Sequence, residues 1–376
     1  MHKKLMAAAV AGAFAAPVGA FAATSNVDIY GYLNVEYGIY QAQPDLVAGT
    51  AASGDALNSG ASRIGFRDKE DLGGGLTAWG QCETQVNGVF GPSSGQSGLC
   101  NRNSAVGLQG SFGNVFIGRW DSPMKRANGI TRIINEAGWT GGANMMVQGV
   151  GPGGEALDFS LRNGFSVNWD SPNWGGFRLM VQTTTQNATL NSTENANVDG
   201  RRNSIAGVFR TGPLAVTAAY EQHTDNAATD AAFAGDGGKE TGMQVGATYK
   251  LSNWLFGLTY NNIKGETAAG ADLKRGSYNL AVEYDLAGPG KIRAGYTMSD
   301  KWDGSLAAGT TDTGGSQWQI GYLHSFSKRT TGGIIVAGVE NQDQGTWNFT
   351  NLDEGPGTVA PGEGGTVLVL QLIHTF

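Results

Sequence analysis

Sixteen segments of alternating apolar and polar residues, parted by breaks that are short and long in strict turn, constrain this chain more than any single motif. Short breaks fall at 68–75, 110–113, 170–176, 211–213, 251–253, 286–290 and 327–329. Longer polar breaks lie near 41–61, 87–100, 121–157, 185–202, 224–239, 264–273, 301–315 and 342–364. A period of two puts the two kinds of residue on opposite faces of a strand. An even number of strands joined in this way brings both termini to one end, so the sheet can close and lose its edges.

The terminal segments show the pattern most cleanly. In residues 27–40, Val27, Ile29, Leu33, Val35, Tyr37 and Ile39 share one face, and Asp28, Tyr30, Tyr32, Asn34 and Glu36 share the other. In residues 366–376, Leu368, Leu370, Leu372, His374 and Phe376 share a face, and the sequence stops on that aromatic. Such a strand suits either of two folds. A sandwich turns its apolar face inward; a membrane barrel turns it to lipid. Fourteen residues is long for a sandwich strand but suits a tilted spanning strand. Sandwiches do not alternate short and long connections so regularly, and this favours the barrel. No apolar run after Ala23 approaches the ~18 residues of a transmembrane helix. Gly makes up 60 of the 376 residues, roughly twice the usual share, and charged residues only 15%, as fits many strands and turns.

The first 22 residues read as a separate object. A basic start at His2, Lys3 and Lys4, an apolar stretch from Leu5 to Ala16 and Ala20-Phe21-Ala22 spell a secretory leader. The barrel domain is then 23–376. A net charge of −7 argues against a nucleic-acid partner, which calls for a basic footprint.

Aromatics cluster near segment ends: Trp254, Phe256 and Tyr260 share a face, as do Trp318, Tyr322 and Phe326. Amphipathic rings there suit the girdles at two membrane interfaces. The opposite faces carry Thr259 and Asn261, Gln317 and Gln319, or Arg293 and Thr297, which need water. A sixteen-strand barrel is wide enough for an aqueous channel.

Residues 62–79 (SRIGFRDKEDLGGGLTAW) resemble the second-strand, turn and third-strand signature of the general porins of Gram-negative outer membranes. Residues 101–119 (NRNSAVGLQGSFGNVFIGR) are similar to that family's next hairpin, which leads into its long third loop. The resemblance implies an all-β fold: a 16-stranded antiparallel transmembrane β-barrel with long extracellular loops and an inward-folded third loop, here 121–157. It implies passive diffusion of small hydrophilic solutes and ions through a homotrimer, with no cofactor and no enzyme activity. Its other partners would be outer-membrane lipid and lipopolysaccharide, with the barrel-assembly machinery reading Phe376. A substrate-selective channel for sugars or anions is the alternative.

Arg63, Arg102 and Arg162 match the basic cluster of the family's constriction, and Glu136 the acidic side presented by its third loop. Glu83 would point into the lumen with Thr77, Trp79, Gln81 and Gln85; Arg67, near the periplasmic turn, has the same parity. Guanidinium groups stay charged at any working pH. Facing carboxylates, they would set a field across the narrowest point. Lys125, Arg126 and Arg132 lie close by and leave the sign of ion preference open.

Cys82 and Cys100 are the only cysteines, and export favours a disulfide that would clip the second long loop. Strand parity complicates the bond, since Cys82 is expected to face lipid and Cys100 not; two free thiols are the alternative. Two cysteines without clustered histidines cannot complete a metal site. The G-x-G-x-x-G at 149–154 follows no strand and contains Pro152, so it reads as loop glycine. A barrel hydrolase would need His and Ser on one face, but His324 and Ser325 are neighbours on opposite faces. His223, two residues from Glu221 at a strand edge, reads as solvated surface.

Overall fold

The computed structural model describes residues 27–42, 53–86, 88–90, 98–134, 139, 141, 143–159, 161–185, 200–224, 233, 237–349 and 360–376, so the leader lies outside them. The strands are β1 (Asp28–Ala42), β2 in two pieces (Gly54–Asn58 and Arg63–Gly73), β3 (Leu76–Gln85), β4 (Ser104–Gly110) and β5 (Gly113–Asp121). Next come β6 (Arg162–Asp170), β7 (Phe177–Thr184), β8 (Arg201–Thr211), β9 (Leu214–Thr224), β10 (Lys239–Leu251) and β11 (Trp254–Glu266). The set ends with β12 (Asp272–Asp285), β13 (Gly290–Ser299), β14 (Gly315–Ser325), β15 (Thr330–Asn341) and β16 (Gly365–Thr375). Each pairs antiparallel with its neighbours in chain order, and β16 returns to β1 from Tyr32↔Thr375 to Ala42↔Gly365. The sheet is closed, a 16-stranded barrel, as the alternation of breaks implies.

Burial runs opposite to a soluble fold. Val106 is 71% exposed, Ile117 61% and Leu280 58%, while Asn34, Glu36, Thr217 and Asn261 are 0% exposed. Exposing so much apolar surface to water would cost about 25 cal/mol per Å²; facing lipid, it costs nothing of the kind. No described helix is long and apolar enough to cross a membrane.

Two local features fix the ends of the ladder. Phe376 exchanges backbone hydrogen bonds with Gly31 (3.0 and 3.2 Å), and its ring occupies the space a side chain at Gly31 would need, 2.3 Å from the site of a Cβ. In β2, residues 59–62 leave the ladder, with Gly60 and Ala61 at φ +38° and +58°. Asn34 bridges the gap: its N–H donates to Ser62 Oγ (2.8 Å), its carbonyl accepts from that hydroxyl (3.0 Å), and its side-chain amide donates to the Gly60 carbonyl (3.3 Å). A bulge here re-aims the next side chain. That side chain is Arg63.

Candidate pore constriction

The chain between β5 and β6 folds inward along the wall. Helix α1 (Pro123–Thr131) starts at Ser122, whose side chain accepts from the Lys125 N–H and caps the first turn. Pro123, with no N–H to leave unpaired, suits the first helical position. The helix lies on β8 to β11: the Met124 N–H donates to Ser204 Oγ (3.1 Å), and the Thr259 hydroxyl donates to Thr131 Oγ1 (3.0 Å). At its middle, the Arg126 guanidinium holds both Asp170 carboxylate oxygens, at 2.8 and 2.5 Å.

Wall glycines make the room. A Cβ at Gly246 would meet Thr131 Oγ1 at 2.3 Å, and one at Gly242 would meet Phe159 at 2.7 Å and Met124 at 2.9 Å. Gly246→Val is therefore expected to lower stability by about 1–3 kcal/mol through overpacking and to displace the loop. Urea unfolding in detergent and single-channel conductance would report both effects; a variant matching the parent in both rules out this seat.

Beyond α1 the loop crosses the lumen. Ile134 packs at Gly295 on β13, and Trp139 reaches β1, where its ring stacks on Tyr40 at 5.4 Å between centroids. The return limb carries α2 (Ala143–Val147), held where Ser277 Oγ donates to the Met146 carbonyl (2.7 Å) and Arg275 donates to that of Met145 (2.6 Å). Arg275 lies under Trp302 and Trp347, 4.8 and 4.5 Å from the ring centroids. Residues 148–150 and 156–158 form a small hairpin, so Gly149 and Val150 of the glycine run belong to a strand, against the sequence reading, and residues 151–155 make its turn. Phe159 ends the circuit, stacked on His223 at 4.7 Å. The loop thus covers the inner wall from β8 round to β16 and β1, leaving the wall from β2 to β6 beside the opening.

That remaining wall is basic. Arg63 on β2, Arg102 just before β4 and Arg162 at the start of β6 converge there. Glu83, 7% exposed, accepts from Arg102 Nε (2.7 Å) and the Tyr30 hydroxyl (3.1 Å), with Arg63 Nε at 3.5 Å. The Arg63 guanidinium also lies 4.4 Å from the Tyr32 ring centroid. Arg162 Nη2 pairs with Asp121 Oδ1 (3.2 Å), and its Nε donates to Asn103 Oδ1 (2.8 Å). Lys125, on α1, reaches the same Asp121 oxygen at 3.3 Å. Burial pushes the Lys125 ammonium below its ordinary value, with Asp121 pulling the other way. Below this ring Trp79, Phe116 and Trp120 pack at centroid distances of 5.1–5.7 Å, and Trp79 donates to Asn114 (2.8 Å).

Several expectations are now placed. Arg63, Arg102, Arg162 and Glu83 come together. Arg67 does not join them: it pairs with Asp28 at 3.4 Å near the periplasmic end, and both side chains are more than half exposed. Glu136 lies outside the described residues. Asp121, which sequence parity did not single out as an arginine partner, takes an acidic place at the root of the loop. His223 is not solvated: it is 0% exposed, with its ring nitrogens 2.9 Å from Glu221 and 2.5 Å from Glu240. Glu240 sits directly across the ladder from it, a relation invisible within one strand. Cys82 and Cys100 are bonded, with Cα atoms 4.7 Å apart. The parity problem disappears because Cys100 lies outside any strand, at φ +62°, and its N–H donates to Thr84 Oγ1 (3.0 Å).

Comparison with known proteins agrees with this geometry. The chain matches the family model described as Gram-negative porin over residues 7–344. It is 28% identical to outer membrane porin protein 32 of Delftia acidovorans over 388 aligned residues, covering 100% of both proteins. To the major outer membrane protein P.IB of Neisseria gonorrhoeae it is 32% identical over 184 residues, 48% of each chain. The solved anion-selective porin from Comamonas acidovorans superposes with a TM-score of 0.74 at 25% identity, covering 94% of this chain and 100% of its own. The family match takes in β1 to β15, the inward loop and the basic wall together. The chain belongs to the Gram-negative porin family, and its barrel is a water-filled channel of the outer membrane through which small hydrophilic solutes and ions diffuse passively.

Proposed function

We propose that the pore favours small anions and that Arg63, Arg102, Arg162 and Glu83 line its narrowest ring, with Glu136 on the loop side. One observation carries the sign. Five cations, Arg63, Arg102, Arg119, Arg162 and Lys125, act there on three carboxylates, Glu83, Asp121 and Asp158, among the described residues. A basic ring in a low-dielectric constriction concentrates counter-ions of opposite charge. The name of the Comamonas relative points the same way.

The barrel works as a conduit, with no chemical step and no cofactor assigned. Three copies assemble through the outer faces of the first and last strands, where Ile29, Ile39, Leu368 and Leu372 are 40–59% exposed. The Cys82–Cys100 bond stiffens the base of the second loop, which latches the neighbour. Residues 1–22 direct export, 23–376 form the barrel domain, and Phe376, seated on Gly31, is the assembly signal.

Salt-gradient reversal potentials in planar bilayers test the reading. Arg63→Ala and Arg102→Ala should each lower the anion-to-cation permeability ratio several-fold with little change in conductance. Unchanged reversal potentials in both would remove these residues from the constriction.

A further inference from the structure

The two faces of the wall part cleanly at the periplasmic ends of β7 and β8. Phe177 and Phe209, paired directly across the ladder, are 37% and 39% exposed on the outer face, where Trp174 stacks on Phe177 at 6.4 Å between centroids. Met180, Ala206 and Val208, of the opposite parity, are buried with Ala127 of α1 inside the lumen. The same parity carries on to Arg178 and Arg210, and both are exposed. They stand on the lumen side directly below the inward loop. Arg178 lies opposite Val208, which puts Arg210 on its diagonal, about 7–8 Å away and within reach of a second long side chain.

Neither guanidinium forms an ion pair among the described residues. The other inward cations at this end, from β6 to β13, are matched: Arg126 holds Asp170 at 2.5 Å, Lys250 holds Asp285 at 2.5 Å and Lys291 holds Glu283 at 2.8 Å. On β1 and β2 the Arg67–Asp28 pair and Lys69, with Asp71 next along its face, add no net charge. Lys328 and Arg329 stand apart, on the turn between β14 and β15. The excess positive charge on the β6–β13 wall of this mouth is therefore Arg178 and Arg210.

The basic ring is too far away to serve this mouth. Arg162 opens β6 and Asp170 closes it, roughly 20 Å lower at ~3.3 Å per residue and a tilt of about 40°. Fields in solution decay over about 10 Å at ~0.1 M salt. The concentration of anions at the mouth is set by the charges that stand there.

We propose that Arg178 and Arg210 form a second anion-selecting station, which gathers small anions at the periplasmic mouth and holds them on the path between the basic ring and the periplasm. This rests on the anion preference proposed above and adds residues that the ring does not contain. Salt separates the two stations, because charges in a wide, wet mouth are screened at high ionic strength and charges in a constriction much less so. Single-channel conductance of Arg178→Gln/Arg210→Gln is expected to fall roughly twofold at ~0.1 M potassium chloride and to match the parent at ~1 M. The fall should be larger at the polarity that draws anions in through the periplasmic mouth, so the rectification ratio shifts as well. Arg178→Lys/Arg210→Lys, which keeps both charges, should restore the low-salt conductance. Parental conductance and rectification in the glutamine variant at ~0.1 M salt, or a loss that the lysine variant shares in full, overturns the station. The parent's own reversal potential tells the two failures apart: an anion-selective parent beside either result leaves the ring reading standing, and a cation-selective parent overturns both.

Discussion

Replacing His223 with phenylalanine is expected to destabilise the folded barrel by about 3–5 kcal/mol, the usual cost of stripping one partner from a buried ionic group. The imidazole lies between Glu221 and Glu240, and both ring nitrogens face carboxylate oxygens. A neutral ring offers one N–H and one lone pair, so it cannot donate to two carboxylates. The arrangement needs either an imidazolium or a proton on one glutamate. Arg202, close enough to act on both glutamates, brings the group toward neutrality. Phenylalanine keeps the stacked contact with Phe159, so the loss isolates the electrostatic part. The readout is the urea midpoint in detergent, followed by tryptophan fluorescence. The double variant His223→Phe/Glu240→Gln, which removes one carboxylate and leaves Glu221 to balance Arg202, should recover more than half of the loss. A single variant within ~0.5 kcal/mol of the parent would show that the network does not hold the loop neck to the wall.

His223 also shows where sequence reading stops. Periodicity of two separated the two faces of each strand, because water and an apolar phase sort them independently, and the alternation of short and long breaks, rather than any one strand, turned the apolar faces outward. It put Arg63, Glu83 and Arg162 on the lumen side for the same reason. Cross-strand relations were a different matter. Glu240 lies seventeen residues beyond His223, across a long loop, and only the register of β9 against β10 makes them neighbours. The irregular places were equally hidden: the gap in β2 that aims Arg63, and the position of Cys100 just outside the sheet. The gap depends on Gly60 and Ala61 and the other on Cys100, all at positive φ, and of these only Gly60 is a residue type that signals a turn. The third loop was legible in outline from the family resemblance and from the length of the break at 121–157. Its helices and its seats on the wall were not, because they depend on glycines of distant strands.

Trp139→Ala is expected to open the pore. Trp139 is fully buried, stacks on Tyr40 and meets Phe349 edge-on at 5.4 Å. Its backbone N–H donates to Glu36 Oε2 (3.1 Å), its backbone carbonyl accepts from Gln317 (3.3 Å), and a Cβ at Gly38 would lie only 2.4 Å from its ring. Glu36 is fixed in turn by the Asn34 and Gln371 amides, at 3.1 and 2.9 Å, so the seat is rigid before the ring arrives. Truncating a buried tryptophan costs about 3–5 kcal/mol. Here that cost falls mainly on docking of the loop, because the barrel ladder closes from β16 to β1 without it. Local release is then cheaper than global unfolding. Single-channel conductance should rise, and liposome swelling should admit larger sugars than the parent does. The urea midpoint of the barrel should move far less than in the His223 variant. Trp139→Phe, which keeps part of the stack on Tyr40, should fall between the two. Identical swelling rates for parent and Trp139→Ala across a graded series of sugars would mean that this tryptophan does not hold the loop in the lumen.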